Sequence, residues 1–112
     1  MGYLVYGSGA EYEVEDRALA HLKIAIVAKL RLQESFLINW SVPAGAGSGR
    51  VSLWISSGIP LQFRFAGSKP PELNRVWLDA LARSSHGIRG MVVMGEEEAV
   101  EYLKAAGAPS AL

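Results

Sequence analysis

At 112 residues, with an apolar share of 50% and a charged share of 20%, the chain has the size and composition of one globular domain, which excludes disorder. It has no cysteine, which excludes disulfides, thiolate metal ligands and cysteine nucleophiles together. The formal net charge is zero but unevenly placed: residues 1–16 carry four acids and no base, residues 17–89 ten bases and three acids, and residues 90–112 four acids against Lys104.

A basic middle suits a polyanionic partner, and it equally suits acidic ends that fold back over a basic body. The N-terminal run Met1 to Gly7 lacks the basic start and long apolar stretch of a signal peptide. Ala18 to Leu32, the longest apolar-looking segment, is broken by His21, Lys23, Lys29 and Arg31 and is too short to span a bilayer. The expectation is a soluble, cytoplasmic protein without membrane contact.

In chain order, Tyr3–Tyr6 and Glu11–Val14 are short, aromatic and β-branched, and Gly7-Ser8-Gly9 between them predicts a hairpin. Glu15 and Asp16 then open a predicted helix to about Gln33, with acids at its positive pole and Lys29 and Arg31 at its negative one. Ala18, Leu19, Leu22, Ile26 and Leu30 form one apolar face, yet Ala20, Ile24, Val27 and Ala28 lie on the other side. A helix apolar on most sides is covered on most sides. Ile24, Val27 and Ala28 are therefore the candidate oligomer face, to be met by the C-terminal helix or by a second subunit.

Three runs with period-two patterning follow: Ser35–Val42, Arg50–Ser56 and Leu61–Ala66. Pro43 to Gly49 and Ser57-Gly58-Ile59-Pro60 are turn chemistry, so the three read as antiparallel neighbours. That pairing projects Asn39, Trp54, Gln62 and Arg64 from one open face, the candidate interaction surface. Tryptophan beside arginine suits a protein anchor or a stacked base. Gly67-Ser68-Lys69-Pro70-Pro71 ends the sheet and starts a second predicted helix to about Ser85, with Leu73, Val76, Trp77, Ala80 and Leu81 as its stripe. Its far side carries the charge ladder Glu72, Arg75, Asp79 and Arg83. Met91–Met94 is a candidate last strand, and Glu96–Ala106 a third helix capped by Gly107. The fold class is thus α+β: a two-layer sandwich, mainly antiparallel, in the order ββ-α-βββ-α and then a candidate β-α, with helices on one face. One domain covers residues 1–107, and 108–112 form a frayed tail.

No motif for catalysis is present. The glycine-rich stretches Gly7-Ser8-Gly9 and Gly45-Ala46-Gly47-Ser48-Gly49 do not continue into a P-loop and read as hairpin loops. His21 and His86 lack ligand spacing; they read as a helix-flank and a helix-end residue. No Gly-x-Ser-x-Gly elbow occurs, and Glu96–Glu98 reads as a solvated first turn. The expectation is no cofactor, no metal and no catalytic residue.

Several runs carry a resemblance. They are Met1-Gly2-x-Leu4-x-Tyr6-Gly7, Glu13-Val14-Glu15-Asp16-Arg17-x-Leu19-x-His21-Leu22 and Ala28-Lys29-Leu30-Arg31. Further on come Glu34-Ser35-Phe36, Trp40, and Pro60-Leu61-x-Phe63-x-Phe65-x-Gly67-Ser68-x-Pro70-Pro71-x-x-Asn74-Arg75-x-Trp77-Leu78. Over about residues 1–90 the chain resembles a family of small actinobacterial proteins of unknown function, often labelled ATP-dependent DNA ligase. Ligase chemistry of that type needs Lys-x-Asp-Gly, whose lysine carries the adenylate. Two positions beyond each lysine stand Ala25, Arg31, Pro71 and Ala106, none of them acidic. The expected function is a non-catalytic binding or assembly domain, a homo-oligomer such as a dimer. The alternatives are a nucleic-acid-associated module using the basic middle, and a small enzyme with an unrecognised site.

Overall fold

The structure, a computed structural model, describes residues 1–41 and 49–110, with side chains for 1–40 and 49–105. The elements are β1 (Gly2–Tyr6), β2 (Ala10–Val14), α1 (Asp16–Arg31), β3 (Phe36–Ser41), β4 (Arg50–Ile55), β5 (Leu61–Arg64), α2 (Arg75–Ser84), β6 (Met91–Val92) and α3 (Glu96–Ser110). The class is α+β, as the patterning implies. The glycine-rich stretch at 45–49 falls outside the described residues save for Gly49, as do Ala111 and Leu112 of the tail.

The N-terminal hairpin forms in the expected register, with Leu4 opposite Tyr12, and Gly7 and Gly9 take the positive φ that its tight turn needs. The single sheet expected from the three alternating runs is corrected. The strands form two three-stranded sheets, in the orders β2-β1-β5 and β4-β3-β6. β3 and β4 pair antiparallel as read, but β5 leaves them and pairs antiparallel with β1. Period-two alternation fixes which face a residue takes and leaves the choice of neighbour open. Here the turn at Ser56–Ile59 ends β4, and the carbonyl of Pro60 accepts the Gly7 N–H at 2.9 Å, which delivers β5 to the hairpin. β6 adds to β3 in parallel, shorter than the run Met91–Met94 suggests.

One core joins both sheets. Leu4, Phe36, Ile38, Ile55 and Met91 from the strands meet Leu19, Leu22 and Ile26 of α1 and Trp77 and Leu81 of α2, all buried. Full burial of each such side chain is worth about 1.5–3 kcal/mol. Across the sheets, Tyr12 meets Trp40 edge-to-face at 5.4 Å, and the Tyr6 hydroxyl donates to the Trp54 carbonyl at 2.7 Å. α2 packs on α1, and α3 packs on α2. No helix among the described residues is long and apolar enough to cross a membrane.

Two helix boundaries differ from the sequence reading. α2 begins at Arg75, because Asn74, itself extended, supplies the cap and Pro70 and Pro71 disfavour helix in the residues before them. Leu73 therefore lies outside the helix and is half exposed, as is Val76. Of the expected charge ladder, Arg83 and Asp79 pair within α2. α3 runs through Gly107, its expected cap, to Ser110.

β6 depends on one glycine. Gly90 has φ +86°, and a Cβ there would lie 2.4 Å from the Leu37 carbonyl oxygen. Gly90→Ala is expected to cost about 2 kcal/mol or more, from left-handed strain plus displacement of β3, measured by urea denaturation.

Candidate functional site

Residues 65–74 form an irregular strap between β5 and α2, bent at 66–69 and tied to α1 at both ends. At its start, the Asp16 carboxylate accepts the backbone N–H groups of Gly67 at 2.8 Å and Ala66 at 3.1 Å. At its end, the Asn74 N–H donates to Nε2 of His21 at 2.8 Å. Pro70 and Pro71 stiffen the span between the ties.

His21 is fully buried, which corrects the expectation of a flank residue. Its Nδ1 lies 2.7 Å from the Arg17 carbonyl oxygen, an i to i−4 contact within α1. Because Nε2 accepts from a backbone N–H, the proton must sit on Nδ1, and both ring nitrogens are satisfied. The ring stacks on Trp77 at 4.3 Å and 23°. Trp77 in turn donates its indole N–H to the Met94 carbonyl at 2.9 Å.

The Asn74 side chain completes the junction. Its Oδ1 accepts from Val76 N at 2.9 Å and Trp77 N at 3.4 Å, capping α2, and its amide donates to Glu96 at 2.6 Å. Glu96 also pairs with Arg17, whose guanidinium lies 5.5 Å from the centre of a Trp77 ring. Glu96 is thus a partner of two elements, whereas Glu97 and Glu98 are exposed as read. The Arg17 hydrogen bond, then the Asn74 one, holds the Glu96 carboxyl below its usual range.

Between strap and α1 lies a groove of about 300 Å3, with Ile24 on the helix side and Phe65, Pro70, Pro71 and Leu73 on the strap side. Lys23 and Lys69 line it as well. A second hollow of about 260 Å3 continues along α1 past Lys23 and Ile24 to Val27, Ala28 and Arg31. Ile24 is 39% exposed, Val27 half-buried and Ala28 exposed, so the described residues leave the candidate oligomer face largely uncovered. α3 docks on α2 instead, and its tie to α1 is the Arg17–Glu96 pair.

The four residues expected on one open sheet face are divided between the sheets. Asn39 and Trp54 belong to the β4-β3-β6 sheet, Gln62 and Arg64 to the other. The Asn39 side chain bridges Ser52 and the Arg89 carbonyl. Arg64 pairs with Glu11 at 2.8 Å and lies over Tyr3, leaving Trp54, 51% exposed, and exposed Gln62 on separate surfaces. His86 is exposed just beyond α2. Among the described residues no group of three or more His, Asp or Glu side chains is placed to hold a metal ion.

A family model described as Domain of unknown function (DUF7882) matches residues 1–96. No curated protein and no solved structure matches the chain. The matched stretch contains both hollows, the strap and its ties, and it stops at the first residue of α3.

His21→Phe keeps the stack on Trp77 but strands the Asn74 N–H, and it is expected to cost about 1–3 kcal/mol; His21→Ala adds a cavity and is expected to cost more. Urea denaturation reads both. The Asp16 carboxyl is held below its usual range first by the Gly67 N–H and then by that of Ala66. A lowered folded pKa contributes stability that is complete above the unfolded value of roughly 3.9 and is lost as pH falls through the folded one. The melting temperature of the native chain should therefore exceed that of Asp16→Asn at neutral pH, with the gap closing below about pH 4.

Proposed function

The chain belongs to the DUF7882 family, a domain of unknown function, and we propose that it is a non-catalytic binding and assembly domain. The observation that carries this reading is the uncovered apolar run of α1, Ile24, Val27 and Ala28, continuous with exposed Leu73 on the strap. Apolar surface of this kind, rimmed by Lys23, Lys69 and Arg31, is the composition of an interface with a dry centre and a charged edge. Self-association through that face, as a dimer, is the form proposed, in a cytoplasmic setting.

The nucleic-acid alternative draws less from the molecule. Arg17 pairs with Glu96 and Arg64 with Glu11, so acids from both ends of the chain reach back onto the basic middle. Lys29 with Glu34 and Arg83 with Asp79 neutralise further bases within it. We take the actinobacterial, ligase-labelled proteins that the sequence resembles to be this family. The label is read as a name without its chemistry, because the adenylate-carrying motif is absent from the sequence.

Light scattering over a concentration series, at low and high salt, tests the assembly reading. A dimer at both salts is expected. Ala28→Glu, on the exposed side of α1, should dissociate it with little change in melting temperature, since a surface substitution shifts stability by about 0.5 kcal/mol or less. A monomer at every concentration removes self-association. Salt-sensitive binding to DNA in the same series would move the reading to the alternative.

A further inference from the structure

The groove beneath the strap has a chemistry of its own. Its lining is apolar apart from Lys23, Lys69 and Ser68, and no acidic residue belongs to it. Ion pairs among the described residues employ Arg17, Lys29, Arg64, Arg83 and Lys104, which leaves Lys23 and Lys69 without an acid at ion-pair distance. The Lys23 ammonium lies 5.8 Å from the centre of the Phe65 ring, over the aromatic part of the wall. Two like charges beside an apolar hollow repel each other and attract an anion.

From this geometry we propose that the groove binds a small apolar carboxylate, its alkyl or aryl part against Ile24, Phe65 and Leu73 and its carboxylate held by Lys23 and Lys69. The volume of about 300 Å3 sets the size. A groove of this size, open along one side, suits a short-chain acid, for which octanoate is the probe. The wall is already in place. Asp16 fixes 66–67, His21 fixes 74, and two prolines lie between, so little chain must be ordered when a ligand enters. A neutral alcohol of the same length would forgo the charge-assisted contacts, and an amine would face two like charges.

The inference goes beyond the assembly reading; the groove shares Ile24, Leu73, Lys23 and Lys69 with the proposed dimer face, so it is tested on the Ala28→Glu chain as well as on the native one. Methyl and amide NMR of the full chain, titrated with octanoate, octanol and octylamine, tests it. Octanoate should shift the Ile24 and Leu73 methyls and the 65–74 amides saturably, octanol should bind about tenfold more weakly or worse, and octylamine should leave them unmoved. Lys69→Gln, at an exposed position that does not threaten folding, should weaken octanoate about tenfold when compared within the Ala28→Glu background, where the groove is not covered by a second copy. Equal affinity for octanoate and octanol, shifts scattered away from the groove, or full binding by Lys69→Gln would each overturn the proposal. A monomer that binds octanoate in this way removes the assembly reading alone. Monomeric Ala28→Glu that ignores octanoate removes this one alone.

Discussion

One hydrogen bond organises the helical half of the molecule: the Asn74 N–H donated to buried His21 at 2.8 Å. A buried backbone N–H needs an acceptor, and leaving one unpaired costs about 1–3 kcal/mol. Meeting that need from the middle of α1 stops the strap, positions the cap of α2 and brings Trp77 face-on to the imidazole. Trp77 then reaches the Met94 carbonyl, and Asn74 reaches Glu96 at the start of α3. Three helices are therefore placed relative to one another by the surroundings of a single side chain. Among the described residues no buried side-chain nitrogen or oxygen lacks a partner, so this polar junction costs no unpaired group.

The same junction explains why the motif residues cluster in space as they do. Asp16, His21, Gly67, Pro70, Pro71 and Asn74 all belong to the runs that carry the family resemblance, and all build the strap or its ties. Their arrangement resembles a buckled belt laid along a helix. The belt and α1 together line the groove, and Asp16 and His21 fix its wall at both ends.

Much of the fold was legible in the sequence because its cause is local. The hairpin follows from Gly7 and Gly9, α1 from its periodicity, and β3 with β4 from alternation. What was not legible depends on choices between distant segments. Leu61, Phe63 and Phe65 alternate equally well beside β4 or β1, and the choice of β1 is made by long-range contacts, the β1–β5 ladder and the Gly7–Pro60 bond at its end. Splitting the sheet in turn scattered Asn39, Trp54, Gln62 and Arg64, whereas Ile24, Val27 and Ala28 stay side by side on α1 because helical spacing alone places them. His21 could have been recognised. It lies between Ala18 and Leu22 on the inward stripe, and a histidine there has to be satisfied by something nearby. Asn74 likewise carries the signature of a cap just ahead of an apolar stripe, which Pro70 and Pro71 obscured.

Two small sheets instead of one large sheet also change how the protein meets its neighbours in a crowded solution. A single six-stranded sheet has two open borders; the orders β2-β1-β5 and β4-β3-β6 leave four. Each border is a template on which another chain can polymerise. Here the borders carry Glu11 and Glu13 on β2, Arg64 on β5 and Arg50 on β4, and one β4 carbonyl is already taken by the Tyr6 hydroxyl. Charge of both signs on these strands and a hydroxyl bridging the two sheets guard the domain against edge-to-edge fibre growth.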